Sequence, residues 1–142
     1  MNCVFCRIVK KELPAHTVFE NDHWLAFLDI KPVNLGHTLL VPKTHYDNLL
    51  DLPTNLATKA LPLIQKIAAG VQGGTGAAGF NLGLNNGAAA GQLINHVHFH
   101  IIPRLLGDGH RHWHGRTIPS DEELAAVEKK ILSALESAER TG

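Results

Sequence analysis

Residues 96–102, His96-Val97-His98-Phe99-His100-Ile101-Ile102, alternate imidazole and apolar side chains. Successive side chains of a β-strand point to opposite faces, so the three histidines share one face and Val97, Phe99 and Ile101 share the other. The apolar face is typical of a strand packed on a core. The histidine face predicts a surface that presents several imidazoles to a ligand. The alternatives are a metal site built on two of the histidines and a polar face without function.

Four further stretches predict strands, because they are rich in β-branched, aromatic and other apolar residues and are bounded by turn residues. They are residues 16–20, 24–30, 36–42 and 80–85. With residues 97–102 they make about five strands. Strands that follow one another in runs, rather than alternating strictly with helices, favour an α+β fold with a mainly antiparallel sheet.

Two main helices are predicted outside the strands. Residues 53–71 repeat apolar side chains at helical spacing, and Pro62 within them predicts a kink or a split into two helices. Ser120-x-x-Glu123 matches a capping box that opens the second helix. The apolar face of that helix carries Leu124, Val127, Ile131 and Leu135.

Composition and charge limit the classes of protein to which this chain can belong. The chain has 142 residues, 44% hydrophobic and 18% charged, which is typical of one globular domain with its own core. We expect a single domain over residues 1–142, with its core over about residues 3–104 and a C-terminal loop and helix over 105–142. Thirteen basic residues balance thirteen acidic ones, so no broad electrostatic surface for nucleic acid or an acidic membrane is expected. No apolar run approaches the roughly 18 residues of a membrane span, and MNCVFCRIVK is no secretory signal, so we expect a cytoplasmic protein.

The chain has two cysteines, Cys3 and Cys6, in a C-x-x-C pair. A redox motif of this spacing follows a strand, and no strand fits before residue 3. Half of a zinc site, completed by two ligands from elsewhere, is the favoured interpretation. Two unligated thiols near the terminus are the alternative.

A second run of histidines, His110, His112 and His114, has the same spacing as the first. Its intervening residues are Arg111 and Trp113, which do not alternate with a core. The run therefore predicts a mobile loop, and closure over a ligand is the less favoured alternative.

These motifs together resemble the histidine-triad (HIT) family of nucleotide-binding hydrolases and transferases. Residues 96–102 match its pattern His-Φ-His-Φ-His-Φ-Φ, where Φ is apolar, at every position. Residues 36–45, GHTLLVPKTH, look like its second signature, and residues 25–32 resemble its ribose-binding strand. Gly91-Gln92 and the Cys3-x-x-Cys6-Arg7-Ile8 start also fit. The resemblance implies a HIT-like fold.

The resemblance also implies a set of catalytic residues. His98 matches the family nucleophile, which attacks the α-phosphorus of a nucleotide and forms a nucleotidyl-histidine that water then hydrolyses. His100 matches the triad member that contacts the phosphate, and His37 matches a histidine beside the triad.

Nucleotide-binding residues are implied in the same way. Asp29 matches a carboxylate that holds the ribose hydroxyls, and Asn85 and Gln92 match polar residues near the phosphate. The apolar slot around the base is implied to comprise Phe5, Ile8, Phe27, Ile30 and Leu39. The family often carries Ser or Thr after Gly-Gln, near the leaving group, whereas this chain has Leu93.

For the cysteine pair, the resemblance suggests the two missing ligands. His45 and His96 would join Cys3 and Cys6, as in bacterial relatives that carry a structural zinc. Four protein ligands close a zinc site, so this zinc would be structural and catalysis would require no metal.

We therefore expect a nucleotidyl hydrolase that cleaves nucleoside 5′-phosphoramidates or related adenylates, with an adenosine-type purine nucleotide as substrate. Members of the family usually form homodimers with a sheet continuous across the interface. Three alternatives are a dinucleoside polyphosphate hydrolase, a nucleotide-binding regulatory module with little turnover, and a metalloenzyme that uses the histidine row as ligands.

Overall fold

A computed structural model describes residues 2–111, 113, 115 and 118–141, with side chains up to residue 137. Five strands form one sheet, as predicted. They are β1 (Thr17–Glu20), β2 (Trp24–Leu28), β3 (Thr38–Pro42), β4 (Gly79–Leu84) and β5 (Phe99–Arg104). The helices are α1 (Val4–Val9), α2 (Thr54–Thr75) and α3 (Asp121–Thr141). Short 3-10 turns cover Leu49–Asp51 and Ala88–Ala90.

The sheet order is β1-β2-β3-β5-β4, and every neighbouring pair is antiparallel. The α+β prediction is confirmed. β5 lies between β3 and β4, and its register places His100 opposite Leu39 on one side and Gly83 on the other. The third histidine of the triad is therefore held on an interior strand.

The two faces of the sheet pack against different helices. On one face, Val97, Phe99 and Ile101 join a core cluster with Ile64 and Ile67 of α2. On the other face, alternate residues of β2 and β3 form a second cluster with the short helix α1. That cluster contains Cys3, Phe5, Leu25, Phe27, Leu39 and Val41. The predicted alternation of residues 96–102 is confirmed, because the apolar residues lie in the first cluster and His96 and His98 contact Phe5 of the second.

Helix α2 is continuous from Thr54 to Thr75, so the split into two helices at Pro62 was wrong. Proline removes one backbone hydrogen bond from a helix interior. Pro62 is exposed, whereas Ala60, Ile64, Ile67 and Ala68 are buried against the sheet. Packing of this buried stripe stabilises the helix on both sides of the proline.

Two local features differ from the sequence-based expectation. The six-residue helix α1 was not predicted, because so short a helix has little stability of its own and forms here through the packing of Phe5. β5 begins at Phe99 rather than at Val97. The Val97 amide instead donates to the carbonyl of Tyr46 (2.7 Å), in the segment that follows β3.

The chain folds as two compact units, residues 1–110 and 111–142. In the second unit the capping box is confirmed, since Ser120 and Glu123 exchange backbone-to-side-chain hydrogen bonds of 3.1 Å. The apolar face of α3 is about half exposed along Leu124, Val127, Ile131 and Leu135. His112 and His114 of the predicted loop lie outside the described residues. The single-domain interpretation stays a prediction.

None of the helices that the structure describes is long and apolar enough to cross a membrane.

Candidate active site

His98 lies immediately before β5 and is 6% exposed. Its Nδ1 lies 2.7 Å from the backbone carbonyl of His96, which can only accept a hydrogen bond. Nδ1 therefore carries the proton, and Nε2 keeps its lone pair. The ring of Phe5 packs edge-on against the imidazole, with a centroid separation of 5.1 Å. His98 is thus held in one orientation and one tautomer, with an unprotonated, nucleophilic Nε2.

His37 and His100 belong to a series of hydrogen bonds beside His98. The backbone N–H of Val33 donates to His37 Nδ1 (3.1 Å), so the His37 proton is on Nε2. That Nε2–H donates to Nδ1 of His100 at 2.9 Å. The His100 proton is therefore on its own Nε2, which is buried and has no partner in the described part of the chain. This series of hydrogen bonds, from the Val33 amide to His100, therefore ends in a free N–H donor.

The imidazoles of His37 and His100 are both neutral at neutral pH. Burial is the main cause that lowers the pKa of His100 to about 4; the neighbouring His98 and His37 also lower it, and Asp29 opposes the shift. Burial also lowers the pKa of His37, although the carboxylate of Asp29 opposes the shift. Asp29 Oδ2 lies 3.8 Å from His37 Nε2. Because His37 is uncharged, this contact orients a dipole rather than forming a salt bridge.

The residues predicted to surround a base are mostly brought together. Phe5, Phe27 and Leu39 are buried in one cluster, and Ile8 packs against it. Phe5 and Phe27 meet edge-on at 5.5 Å. Ile30 is different, because it is 84% exposed and is not part of this cluster. It lies in the loop between β2 and β3, as Asp29 does.

The two amides predicted near a phosphate make internal hydrogen bonds. Asn85 Nδ2 donates to the carbonyl of Gly91 at 3.4 Å. Gln92 is only 6% exposed. Its Nε2 donates to the carbonyls of Asp47 (2.6 Å) and Ile94 (3.0 Å), and its Oε1 accepts from the Gly87 amide (2.8 Å). Gln92 ties three segments together, and a contact with phosphate stays a prediction.

The four predicted metal ligands also come together. Sγ of Cys3 and Cys6 and Nδ1 of His45 and His96 all lie within 4.8 Å of one another. His96 Nδ1 is 3.5 Å from Cys3 Sγ and 3.6 Å from Cys6 Sγ, and His45 Nδ1 is 3.3 Å from Cys6 Sγ. Burial and the neighbouring Cys3 thiol raise the pKa of Cys6 in the absence of a metal. Two thiols and two imidazoles are the donor set that tetrahedral zinc prefers.

Both metal-site histidines have their tautomer fixed from outside the cluster. His96 Nε2 donates to the carbonyl of Pro42 at 2.8 Å, and His45 Nε2 donates to Asp47 Oδ1 at 2.9 Å. Each Nδ1 lone pair therefore points at the thiols. Neither Asp47 nor the Val33 amide was singled out from the sequence, because one is an ordinary surface acid in a loop and the other is a backbone group.

The sequence profile of the HIT domain matches residues 10–106. The chain belongs to the histidine-triad (HIT) family. A HIT relative named adenosine 5′-monophosphoramidase, from Schizosaccharomyces pombe, is 38% identical over 95% of this chain and 99% of its own length.

Two solved HIT structures are also similar to this chain. A HIT family member from Bacillus subtilis gives a TM-score of 0.84 at 36% identity, covering 94% of this chain and 96% of that one. A zinc-bound histidine triad family protein from Mycobacterium smegmatis gives 0.73 at 38% identity, covering 97% and 98%. The HIT-like fold is therefore shown for this chain.

Proposed function

We propose that this HIT protein is a nucleotidyl hydrolase that cleaves the α-phosphorus bond of adenosine 5′-phosphoramidates and related adenylates. The observation that carries the proposal is the pair of complementary tautomers on neighbouring histidines. His98 has a free lone pair on Nε2, and His100 has a free proton on Nε2. The ring centroids of the two are 4.9 Å apart, so one phosphoryl group can meet both. The relative named adenosine 5′-monophosphoramidase supports the same class of substrate.

In the first step, His98 Nε2 attacks the α-phosphorus. A P–N bond forms, the bond from phosphorus to the leaving group breaks, and the leaving group departs with its electron pair and takes up a proton from solvent. The imidazole becomes a cation, and the carbonyl of His96 stabilises it by accepting from Nδ1–H. The Nε2–H of His100 donates to a phosphoryl oxygen, where negative charge is held in the transition state.

In the second step, water attacks the same phosphorus. An O–P bond forms and the P–N bond breaks, the electron pair returns to His98 Nε2, the attacking water gives up a proton to solvent, and nucleoside monophosphate leaves. Dividing one displacement into two easier ones is the advantage of covalent catalysis. His37 keeps the His100 proton on Nε2 throughout, because its own tautomer is held by the backbone N–H of Val33.

Binding of the nucleoside follows from the surroundings of His98. We propose that Asp29 accepts hydrogen bonds from the ribose hydroxyls and that Asn85 and Gln92 line the phosphate side. The base would lie against the apolar cluster on the α1 face of the sheet. We propose that its contacts come from Phe5, Ile8, Phe27 and Leu39, with the exposed Ile30 added from the β2–β3 loop.

We propose that Cys3, Cys6, His45 and His96 hold a structural zinc ion. When bound, zinc would join α1 to the segment before β5 and to the segment after β3. The donor set fills all four positions, so no open position remains for a substrate. The zinc-bound relative from Mycobacterium smegmatis supports this assignment. Catalysis in this proposal uses the histidines alone.

We propose that the protein forms a homodimer through β4. This strand is an edge of the sheet, contains no charge and no proline, and exposes Phe80 (41%) and Leu82 (45%). An uncharged apolar edge favours pairing with another strand. Leu82→Lys is expected to give monomers in light scattering, and a dimer that persists in this variant would contradict the β4 interface. A cytoplasmic location stays a prediction from the sequence.

The test of the activity is release of AMP from adenosine 5′-phosphoramidate, with diadenosine polyphosphate in parallel. We expect His98→Ala to lower turnover by at least about 1,000-fold. His23→Ala, which removes an exposed histidine before β2, is the matched control. If diadenosine polyphosphate is cleaved faster, the enzyme is a dinucleoside polyphosphate hydrolase.

The remaining alternatives give different results in the same assay. If wild type and His98→Ala are equally inert but bind AMP, the protein is a binding module and the hydrolase proposal fails. If chelation of the folded protein abolishes kcat at saturating substrate, the metalloenzyme alternative replaces the present one.

A further inference from the structure

Asp47 contacts the metal cluster through its side chain, and it contacts Gln92, next to the proposed nucleotide site, through its backbone. Its carboxylate Oδ1 accepts from Nε2 of His45 at 2.9 Å. Its carbonyl oxygen accepts from Nε2 of Gln92 at 2.6 Å. One residue thus contacts both a predicted metal ligand and the amide that precedes the triad.

The carboxylate contact prepares His45 for a metal. With the proton held on Nε2, the Nδ1 lone pair points at Cys6 Sγ, 3.3 Å away. A carboxylate behind a ligating imidazole fixes the ring and raises its basicity, and removal of such a partner typically weakens metal binding 10–100-fold. His96 has a backbone carbonyl in the same role, so the Asp47 side chain is the cluster's one such contact open to mutation among the described residues.

Backbone hydrogen bonds link the residues after His45 to the segment that precedes His98. Gln92 is held by the Asp47 carbonyl, and the Val97 amide is held by the Tyr46 carbonyl at 2.7 Å. The segment 92–97 is therefore bonded at two points to residues 46 and 47, directly after His45. This segment leads directly to His98, whose tautomer depends on the His96 carbonyl.

The cluster is also reachable from outside. A cavity of about 460 Å³ opens beside it and is lined by Cys3, His45, Asp47 and Leu93, among others. The Asp47 side chain is 66% exposed at this opening. The cluster is therefore open to solvent on the side of His45 and Asp47.

We propose that Asp47 is a positioning residue that couples metal binding at Cys3, Cys6, His45 and His96 to nucleotide binding beside His98. The coupling rests on the proposed function, because it needs a nucleotide site. Metal held by a correctly oriented His45 fixes residues 45–47, and these fix the segment that carries the triad.

The first experiment measures zinc affinity of the reduced protein by competition with a chromogenic chelator. Asp47→Ala is expected to weaken zinc binding 10–100-fold. Asp47→Asn is expected to retain most of the affinity, because its amide oxygen still accepts from His45. The control is Asp22→Ala, an exposed acid in the turn before β2. A zinc affinity of Asp47→Ala within twofold of wild type would overturn the role of Asp47.

The second experiment measures AMP binding by calorimetry to metal-free and zinc-loaded protein, with folding checked by circular dichroism. We expect zinc to tighten AMP binding about fivefold or more, and saturating AMP to tighten zinc binding by the same factor, because coupling is reciprocal. The factor should shrink in Asp47→Ala. Equal AMP affinities of the two wild-type forms, or an unchanged factor in Asp47→Ala, would overturn the coupling.

Failure of the hydrolase proposal has a separate signature. If AMP binding responds to zinc but adenosine 5′-phosphoramidate is not cleaved, the coupling stands and the hydrolase proposal fails. If AMP binds neither form, the nucleotide site and the coupling both fail, while the zinc titration still decides whether Asp47 orients His45.

Discussion

Nε2 of His37 lies 2.9 Å from Nδ1 of His100, and this hydrogen bond determines where the His100 proton sits. The arrangement depends on both rings being neutral. A proton on His100 Nδ1 would place two N–H groups against each other, so protonation of His100 breaks the chain that begins at the Val33 amide.

Stability should fall in mild acid because of His100. Its pKa is about 4 in the folded protein against an ordinary value of 6.5, so the unfolded chain binds the proton first. Stabilisation is therefore complete above pH 6.5 and is lost as the pH falls toward 4, by about 3 kcal/mol in all. Urea unfolding at several pH values should show His100→Gln with a pH slope shallower than wild type by about 1.4 kcal/mol per pH unit.

His16→Gln, which removes an exposed imidazole before β1, is the control for loss of a histidine. If His100→Gln and wild type show the same pH slope, the lowered pKa of buried His100 is contradicted.

Gly36 is a position where a side chain is expected to destabilise the fold. Its φ is +102°, and a Cβ built there would lie 2.5 Å from Cγ2 of Thr75 at the end of α2. Strain and overpacking together predict that Gly36→Ala lowers the free energy of unfolding by about 2–4 kcal/mol. Chemical denaturation would measure this loss.

Two further variants test whether the contact with Thr75 causes the loss of stability. Thr75→Ser deletes Cγ2 but keeps the hydroxyl that bonds the Val71 carbonyl, so the double variant should recover part of the loss. Gly70→Ala lies in α2 with open space around it and should stabilise the protein by up to about 1 kcal/mol. Destabilisation by both alanines to a similar extent would show that the contact with Thr75 is not the cause.

The sequence predicted the sheet and the triad because both depend on local alternation. The pattern of residues 96–102 requires only that one face be apolar, and the structure buries Val97, Phe99 and Ile101 accordingly. The ligand set came from the resemblance rather than from spacing. His45 and Cys6 lie 39 residues apart, and only the fold brings them to 3.3 Å.

The contacts that tune the site could not be predicted. The Val33 N–H belongs to the backbone and leaves no trace in the residue types. The predicted split at Pro62 was wrong for the opposite reason, because the local effect of proline is outweighed by burial of Ile64 and Ile67 against the sheet. α1 was missed because its stability comes from the packing of Phe5 in the core rather than from the helix propensity of so short a segment.

Removal of zinc should lower the thermal stability of the protein, whereas kcat should change little. Zinc that binds only the folded chain stabilises it by about 4 kcal/mol at a free concentration 1,000 times its Kd. A chelator should therefore lower the unfolding temperature of the wild type. At a temperature where the metal-free protein stays folded, kcat should persist, while KM for the nucleotide should rise through the coupling of the metal and nucleotide sites.

Cys6→Ser should make the unfolding temperature insensitive to zinc. An unfolding temperature that the chelator leaves unchanged in the wild type would contradict the structural zinc site.

Leu93 should limit the choice of leaving group. It follows Gln92 and is 93% exposed, so it can be replaced with little effect on stability. Leu93→Ser places a hydroxyl where the family often has one and should raise turnover of adenosine 5′-phosphoramidate relative to diadenosine polyphosphate. The gain is expected to be up to about a hundredfold, the lower end of what a positioned proton donor contributes. Leu93→Ala separates loss of the leucine from gain of the hydroxyl. If serine and alanine raise phosphoramidate turnover equally, the leucine acts by steric exclusion, and the hydroxyl has no part in protonating the amine.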